Sequence, residues 1–389
     1  MASMPAVKAD EYRAHLCTFQ ASVRDGVGEK YAKTKEMHWS IWNSHCEEFG
    51  IDPFLKTYND PVPHLAIFAQ RYRSGEIAPK GKPVTADYVS DILCSIGQAF
   101  SSMGTADPRF SPINGKIDFR LRRQKRCWKK GDTPPRRVKP CPVTIVLWLL
   151  DRAYKSTTPI VADMTMADMI CIAFFFLLRP GEYTGTTTDD AAFTLNDVYL
   201  YSGRRKLSLA DASDVELRAA TSCALHFTTQ KNLRKGDVIA QSCSLDPYCC
   251  PVRALVRIVL RHRAHFAYKN IPFDGNVPLA SYYFNNKRLR IKAVTITEHV
   301  REAARACFLT TCINANNLTA RSLRAGGAMA LLCGRCDTDQ IKLLGRWHSD
   351  AMMRYLHQEA QPVLQQLARK MFNSGRYSFL TTDSVPARY

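Results

Sequence analysis

The chain has 389 residues, of which 46% are hydrophobic and 23% are charged. This composition is that of a folded globular protein of two or three domains and excludes a disordered chain. Its formal net charge of +19 favours polyanionic partners such as nucleic acid. The longest apolar run, residues 169–178, is too short to cross a bilayer, and residues 1–20 carry charges without an apolar block. We therefore expect neither membrane insertion nor a secretory signal.

Fourteen cysteines are scattered along the chain, and they favour a reducing compartment with buried thiols. Cys333 and Cys336 form a single CxxC motif without a second pair at the spacing of a zinc site. Cys243 has only the adjacent Cys249 and Cys250 nearby in sequence. The chain also lacks a Walker motif, a GxSxG motif and an HExxH motif. We therefore expect no metal site and no cofactor.

The first third of the chain predicts a helical domain. Residues 1–28 are mixed and polar, and we expect a flexible lead there, either poorly ordered or loosely helical. Between residues 29 and 118, apolar side chains recur largely at three- and four-residue steps, which indicates helices. They include Trp39, Trp42, Phe49, Leu65, Phe68, Tyr72, Val89, Ile92, Ile96 and Phe100.

Residues 119–140 are strongly basic. Ten Lys or Arg residues stand there against one acidic residue, Asp132, and Gly131, Pro134 and Pro135 interrupt regular structure. We interpret this segment as a basic linker between two domains. It could contact the phosphates of a duplex, or it could be a solvated linker that also acts as a nuclear-import signal.

Residues 141–373 predict a second, mostly helical domain with a small sheet. Helical patterns cover residues 143–154, 164–178 and 252–262. Two alternating runs, residues 225–228 and 238–242, predict the strands of a β-hairpin. The predicted fold class is therefore mainly α with a small antiparallel β-sheet (α+β). Residues 361–371 predict an amphipathic helix, and residues 374–389 a tail without a pattern.

The clearest functional signal lies at residues 319–328, which read TARSLRAGGA. Thr319 predicts the N-cap of a helix. Arg321 and Arg324 then project from one face near its positive end, where two guanidinium groups favour a phosphate. Gly326 and Gly327 each cost about 1 kcal/mol relative to alanine inside a helix, which indicates close approach to another element.

Other candidate residues stand at marked places along the chain. Arg179 ends the apolar run, and Pro180, Gly181 and Glu182 follow, so that its guanidinium emerges where the chain turns. Lys231 lies at the tip of the predicted hairpin, and Lys235 is an alternative in the same turn. Downstream, a Leu-Gly pair is followed by Arg346, Trp347 and His348, and a helix with Tyr355 comes next.

In their order, these residues resemble the catalytic signature of the tyrosine recombinases, topoisomerase-like enzymes that cut and rejoin DNA through a tyrosyl phosphate. The closest subgroup is the recombinases of Crypton-type and DIRS-type mobile elements. The resemblance implies that Arg179 and Arg324 clamp the scissile phosphate. It implies further that Lys231 is the general acid and that Tyr355 is the nucleophile, with no need for a metal or ATP.

The same resemblance implies a domain plan and partners. Residues 29–118 would be a core-binding (SAM-like) DNA-binding domain, and residues 141–373 the catalytic domain. The two would form a C-shaped clamp around double-stranded DNA, with a homodimer or homotetramer assembled on paired sites. The protein would act in the nucleus as the DNA recombinase or integrase of a mobile element.

Two positions depart from the family pattern. Arg321 stands where the family usually has a histidine, and an arginine cannot act as a neutral base although it can donate hydrogen bonds to a phosphate. Arg346 stands where the family has a histidine or tryptophan, so that Arg346, Trp347 or His348 could fill this role. Two hypotheses follow: an active recombinase, or a catalytically impaired DNA-binding protein derived from one.

Overall fold

The computed structural model describes residues 6–26, 29–134, 138–184, 192–228 and 236–347. The chain divides into two compact units, Met1–Pro135 and Arg136–Tyr389, and each has its own hydrophobic core. No helix in the described ranges combines the length and the apolarity needed to cross a membrane.

The first unit contains five helices, joined by turns and loops, among its described residues. The apolar side chains that the sequence analysis assigns to helices form its core, and Trp42, Phe68 and Ile96 are fully buried there. Phe49 is an exception, because it follows α2 and is half exposed. The helices are α1 (Ala6–Asp25), α2 (Glu29–Glu48), α3 (Val62–Ser74), α4 (Ala86–Ser102) and α5 (Phe119–Gly131).

Residues 6–25, within the lead that was predicted to be poorly ordered or loosely helical, form helix α1. The prediction of a basic linker needs correction. Residues 119–131 of the predicted linker form helix α5, which Asp118 caps by accepting a hydrogen bond from the Arg120 N–H at 2.8 Å. Arg, Lys and Gln are good helix formers, and Leu121 with Trp128 packs α5 onto the core of the unit. Because the segment is so basic, its composition did not indicate that these two apolar residues form one face of a helix.

The second unit contains nine helices and six strands among its described residues. The helices are α6 (Val143–Tyr154), α7 (Val161–Phe175), α8 (Pro180–Tyr183), α9 (Asp214–Arg218), α10 (Pro251–Tyr268), α11 (Ala293–Ala306), α12 (Phe308–Thr311), α13 (Arg321–Cys333) and α14 (Thr338–Gly345). The strands are β1 (Val198–Ser202), β2 (Arg205–Leu207), β3 (Ser222–Phe227), β4 (Asp237–Ser242), β5 (Ser281–Phe284) and β6 (Lys287–Arg290).

The strands confirm the predicted small antiparallel sheet. Four of them form one sheet in the order β2-β1-β3-β4, and β5 pairs with β6 separately. The predicted hairpin is the β3–β4 pair, in which Leu225 lies opposite Ile239 and Phe227 opposite Asp237. The sequence analysis did not predict the β5–β6 hairpin. The fold class, mainly α with a small antiparallel sheet, is confirmed.

Helix α7 is the central element of the second unit. Its residues 165–174 are all buried, and α6, α10 and α13 pack against it, which explains why its apolar residues surround the helix instead of forming one stripe. After α7, Leu177 adopts a left-handed conformation with φ 51°. This turn ends the predicted 164–178 helix early and leads the chain into Arg179.

Candidate active site

The first part of the site is the short segment after α7. The backbone N–H of Arg179 donates to Oε2 of Glu182 at 2.7 Å, and Nη1 of Arg179 donates to Oε1 of the same carboxylate at 2.8 Å. Glu182 is buried, whereas the Arg179 side chain is 29% exposed. Glu182 therefore fixes a guanidinium group that still reaches solvent.

Arg324 brings helix α13 into the same place. Its residue is only 2% exposed, and its two Nη atoms donate to the carbonyl oxygens of Leu177 and Gly345. The guanidinium carbon also lies 4.1 Å from the ring centroid of Trp347, within the range of a cation–π contact. Arg324 therefore joins the end of α7 to the end of α14.

The glycine pair in α13 explains how this helix comes so close. A Cβ atom on Gly326 would lie 2.0 Å from the carbonyl oxygen of Cys141, and one on Gly327 would lie 2.2 Å from that of Phe174. No side chain fits at either distance. The predicted close approach of α13 to another element is confirmed, and it fixes the depth of Arg324.

Arg346 enters from the end of α14. It is the C-cap residue in the left-handed conformation, with φ 56°, and it is 4% exposed. Its Nη2 donates to Oε2 of Glu182 at 3.0 Å and to the Leu177 carbonyl at 3.3 Å, while Nη1 donates to the Phe176 carbonyl at 3.2 Å. Its guanidinium carbon lies 3.9 Å from the ring centroid of Phe227 on β3.

We call Arg179, Glu182, Arg324, Arg346 and Trp347 the Glu182 cluster. Burial lowers the pKa of Arg346 from its usual value, Glu182 acts in the opposite direction, and Arg179 lowers the pKa further. The guanidinium groups of Arg179 and Arg346 bind Glu182 directly, and that of Arg324 shares the Leu177 carbonyl with Arg346. Such a group of cations is suited to hold an anion with several oxygen atoms, such as a phosphodiester.

Four of the eight predicted site residues meet in this cluster: Arg179, Arg324, Arg346 and Trp347. Arg321 does not join it, because it opens α13 with an exposed side chain. Lys231, His348 and Tyr355 lie outside the described residues, as does the alternative Lys235.

The sequence analysis missed how Glu182 and Phe227 take part. Glu182 was placed beside Arg179, but its second contact, with Arg346, joins residues 164 positions apart. The available signal was a carboxylate directly after an apolar run, since a buried carboxylate needs a cationic partner.

A cleft of about 550 Å³ borders the cluster, between Asp237–Ala240 on β4 and the residues 340–347 that include Arg346 and Trp347.

The first unit has a separate cationic surface on helix α5. Lys125 and Lys129 are paired with Asp87, at 3.1 and 3.0 Å. Arg122 and Arg126 are exposed and have no ion pair with any residue in the described ranges. Exposed, unpaired cations on one helix are suited to contact the phosphates of a nucleic acid.

No protein-family model matches the chain, and no curated protein matches it by sequence. Several solved structures are similar. The XerH site-specific recombinase bound to its palindromic difH substrate is 13% identical, with 82% of this chain and 74% of that chain covered at a TM-score of 0.47. The Tn1549 transposon integrase in complex with circular intermediate DNA is 14% identical, with 92% and 98% covered at 0.44. The lambda integrase tetramer bound to a Holliday junction is 12% identical, with 91% and 81% covered at 0.43.

Proposed function

We propose that this chain is a tyrosine recombinase or integrase that cuts and rejoins double-stranded DNA through a 3′-phosphotyrosyl intermediate. The observation that carries the proposal is the Glu182 cluster. In it, Arg179, Arg324 and Arg346 come together from three separate segments, in a place where Arg179 reaches solvent. A fold that only needed a stable core would bury apolar side chains here at lower cost.

In the proposed reaction, Arg179 and Arg324 bind the two non-bridging oxygens of the scissile phosphate. The phenol oxygen of Tyr355 attacks phosphorus and gives its proton to water, and the bond to the 5′ oxygen of the next nucleotide breaks. Lys231 supplies the proton that the departing 5′ oxygen takes, a role for which a lysine is better suited than an arginine. Negative charge grows on the phosphate oxygens in the transition state, where fixed guanidinium groups stabilise it.

The products are a 3′-phosphotyrosine and a free 5′-hydroxyl group. Attack of a 5′-hydroxyl on the phosphotyrosine reverses the step and joins DNA strands. One phosphodiester bond replaces another, so the energy of the broken bond is kept in the intermediate.

Arg346 has a positioning role in this proposal. Its Nη2 donates to Oε2 of Glu182 at 3.0 Å. By holding one oxygen of Glu182, it orients the carboxylate whose other oxygen binds Arg179. Trp347 also has a positioning role in this proposal, because its uncharged ring packs against the guanidinium of Arg324.

We extend the proposal to the biology that the sequence signature implies: a mobile element of the Crypton or DIRS type, action in the nucleus, and a homodimer or homotetramer on paired DNA sites. The net charge of +19 and the unpaired cations of α5 support contact with a polyanion. The residue signature supports the type of element.

A suicide-substrate assay tests the reaction. Purified protein is incubated with nicked duplexes that carry candidate element ends, and a denaturing gel reports covalent protein–DNA adducts. We expect an adduct with the wild-type protein and none with Tyr355→Phe, because that variant lacks the attacking oxygen. A surface variant, Arg205→Ala, serves as the control and should form the adduct normally.

A second candidate is a recombinase-derived protein that binds DNA without cutting it. Arg321 favours it, because this residue replaces the usual histidine and is exposed. Binding of the same duplexes without an adduct, also in Arg321→His, would support the second candidate and contradict the first.

A further inference from the structure

Five free cysteines lie together where β4 ends and α10 begins. The sequence suggested only the adjacent pair Cys249 and Cys250 with the distant partner Cys243. In the structure, four of the five cysteines form two neighbouring pairs. Cys250 raises the pKa of Cys243 and Cys249 raises that of Cys171, as expected of thiols that lie near each other, and the Cys243 thiol donates to the Ala220 carbonyl at 3.7 Å. Cys223 is buried beside the first of these pairs. Two neighbouring residues, Cys249 and Cys250, therefore face two different partners.

The loop between Cys243 and Cys250 is held by its own hydrogen bonds. The Ser244 hydroxyl donates to the Cys249 carbonyl at 2.7 Å. The carboxylate of Asp246 accepts from the N–H groups of Tyr248 and Cys249, at 2.9 and 2.6 Å. At one end, the Cys243 N–H donates to the Thr221 carbonyl at 3.1 Å. Because the bond between Ser244 and Cys249 joins their direct neighbours, Cys243 and Cys250 lie close together at the two ends of the loop.

The two thiol contacts differ in their access to solvent. Cys171 and Cys249 are both buried, so a dissolved reagent does not reach that pair. Cys243 is half-buried, and the residues on either side of it, Ser242 and Ser244, are exposed. A small oxidant can therefore reach the first pair, and it reaches it through Cys243.

The surroundings of Cys250 favour a nucleophilic sulfur. Burial acts against its thiolate, but the backbone N–H groups of Arg253 and Val252 in the first turn of α10, together with Ser244, act in favour of it, and the pKa of Cys250 is lowered. For Cys243, burial and then Cys250 raise the pKa, while Arg253 lowers it. The deeper thiol of the pair is the better resolving nucleophile.

We propose that Cys243 and Cys250 are a modification site that forms a reversible disulfide when the protein meets a hydroperoxide. In the first step, the Cys243 sulfur takes one oxygen atom from the hydroperoxide, giving a sulfenic acid and an alcohol, or water when the oxidant is hydrogen peroxide. In the second step, the Cys250 sulfur attacks the sulfenic sulfur, the disulfide bond forms, and one water molecule leaves. A dithiol reagent reverses the reaction by thiol–disulfide exchange.

Peptide mapping tests the proposal directly. Reduced full-length protein is treated with hydrogen peroxide, its remaining thiols are blocked with N-ethylmaleimide, and the protein is digested with trypsin. Cys243, Cys249 and Cys250 fall in one tryptic peptide, residues 236–253. We expect this peptide to carry three labels before oxidation and one label, on Cys249, after it. Acid cleavage between Asp246 and Pro247 should leave its two halves joined by the disulfide.

Matched variants show which thiols react. Cys249→Ser should still form the disulfide, whereas Cys243→Ser and Cys250→Ser should not. Mapping of the wild-type protein needs no variant, so it decides the matter even where a variant folds poorly. Three labels on this peptide under conditions that oxidise the exposed Cys17 would overturn the proposal, and so would a disulfide that contains Cys249.

Discussion

Two buried carboxylates in the second unit, Asp168 and Glu182, each bind two arginines. They differ in their effect on the pKa of the bound arginines. Asp168 on α7 is fully buried, and it binds Arg257 at 2.6 Å and Arg261 at 2.5 Å. The Tyr154 hydroxyl also donates to it, at 2.6 Å. Glu182 also binds two arginines, Arg179 and Arg346, with Arg324 directly beside them.

The pKa directions separate the two sites. Burial acts to lower the pKa of Arg257, but Asp168 outweighs burial and the pKa is raised. For Arg346 burial outweighs Glu182 and the pKa is lowered. We call the Asp168 network the closed site, because its carboxylate outweighs burial at Arg257, and the Glu182 cluster the open site, because burial outweighs the carboxylate at Arg346. Two buried carboxylates that each bind two arginines can therefore differ in whether they offset the burial of those arginines.

The largest effect that we expect is on stability, at the closed site. Asp168→Asn leaves two partly buried guanidinium groups without their buried carboxylate, and breaking a buried ion pair in this way typically costs about 3–5 kcal/mol. Urea unfolding followed by circular dichroism measures the loss. Glu216→Gln, which breaks the exposed Arg205–Glu216 pair, is the control and should cost far less, because exposed ion pairs contribute little to stability. Equal losses in both variants would contradict the distinction between a buried and an exposed pair.

The next effect is on chemistry, at the open site. Arg179→Ala removes a partly exposed guanidinium from the proposed phosphate clamp, and loss of one such donor typically lowers the rate about 10²–10³-fold. Single-turnover adduct formation on a nicked duplex measures the rate, and unfolding in urea should show only a small change. Arg179→Lys should recover part of the rate, because the charge remains but the two-pronged geometry does not. A rate within tenfold of the wild type would exclude Arg179 from the clamp.

The sequence predicted the arginines of the open site because each stands at a local break in a pattern. Arg179 ends an apolar run, and Arg324 precedes two glycines inside a helix. The contact of Glu182 with Arg346 could not be predicted in this way. This contact depends on the packing of the end of α14 against the end of α7, and no local sequence pattern predicts that packing.

The same limit explains the segments that were predicted incorrectly. Helix α5 was taken for a linker because its apolar contacts with the core come from Leu121 and Trp128, seven residues apart within a basic run. Helix propensity and two packed side chains outweighed the charge pattern. The strands β3 and β4 were found because alternation over four or five residues is a strong local signal.

A smaller effect concerns pH and lies next to the closed site. His262 on α10 is buried, and burial, followed by Arg261, lowers its pKa from 6.5 to about 4. As the pH falls below 6.5, the unfolded chain therefore binds the proton first. His262 contributes fully to stability above pH 6.5, and this contribution, at most about 3 kcal/mol, is lost as the pH falls towards 4.

Urea unfolding at a series of pH values tests this prediction. His262→Leu places an apolar side chain of similar size, without a titratable group, in the same position. The free energy of unfolding should therefore fall less between pH 6.5 and 4 in this variant than in the wild type. His15→Leu, on the exposed face of α1, should leave the pH profile as it is. Parallel profiles for wild type and His262→Leu would contradict the assignment.

The smallest effect extends the comparison to the first unit, where cations on one helix also divide into paired and unpaired ones. If α5 contacts DNA phosphates, Arg122→Ala with Arg126→Ala should remove two contacts and lower the slope of log affinity against log salt concentration by about 1.8. Lys125→Ala with Lys129→Ala removes the same charge from the same helix, but both lysines are already paired with Asp87. We expect this second pair of substitutions to change the slope less. Equal changes would show that total charge, and not the pairing seen in the structure, determines how this helix binds DNA.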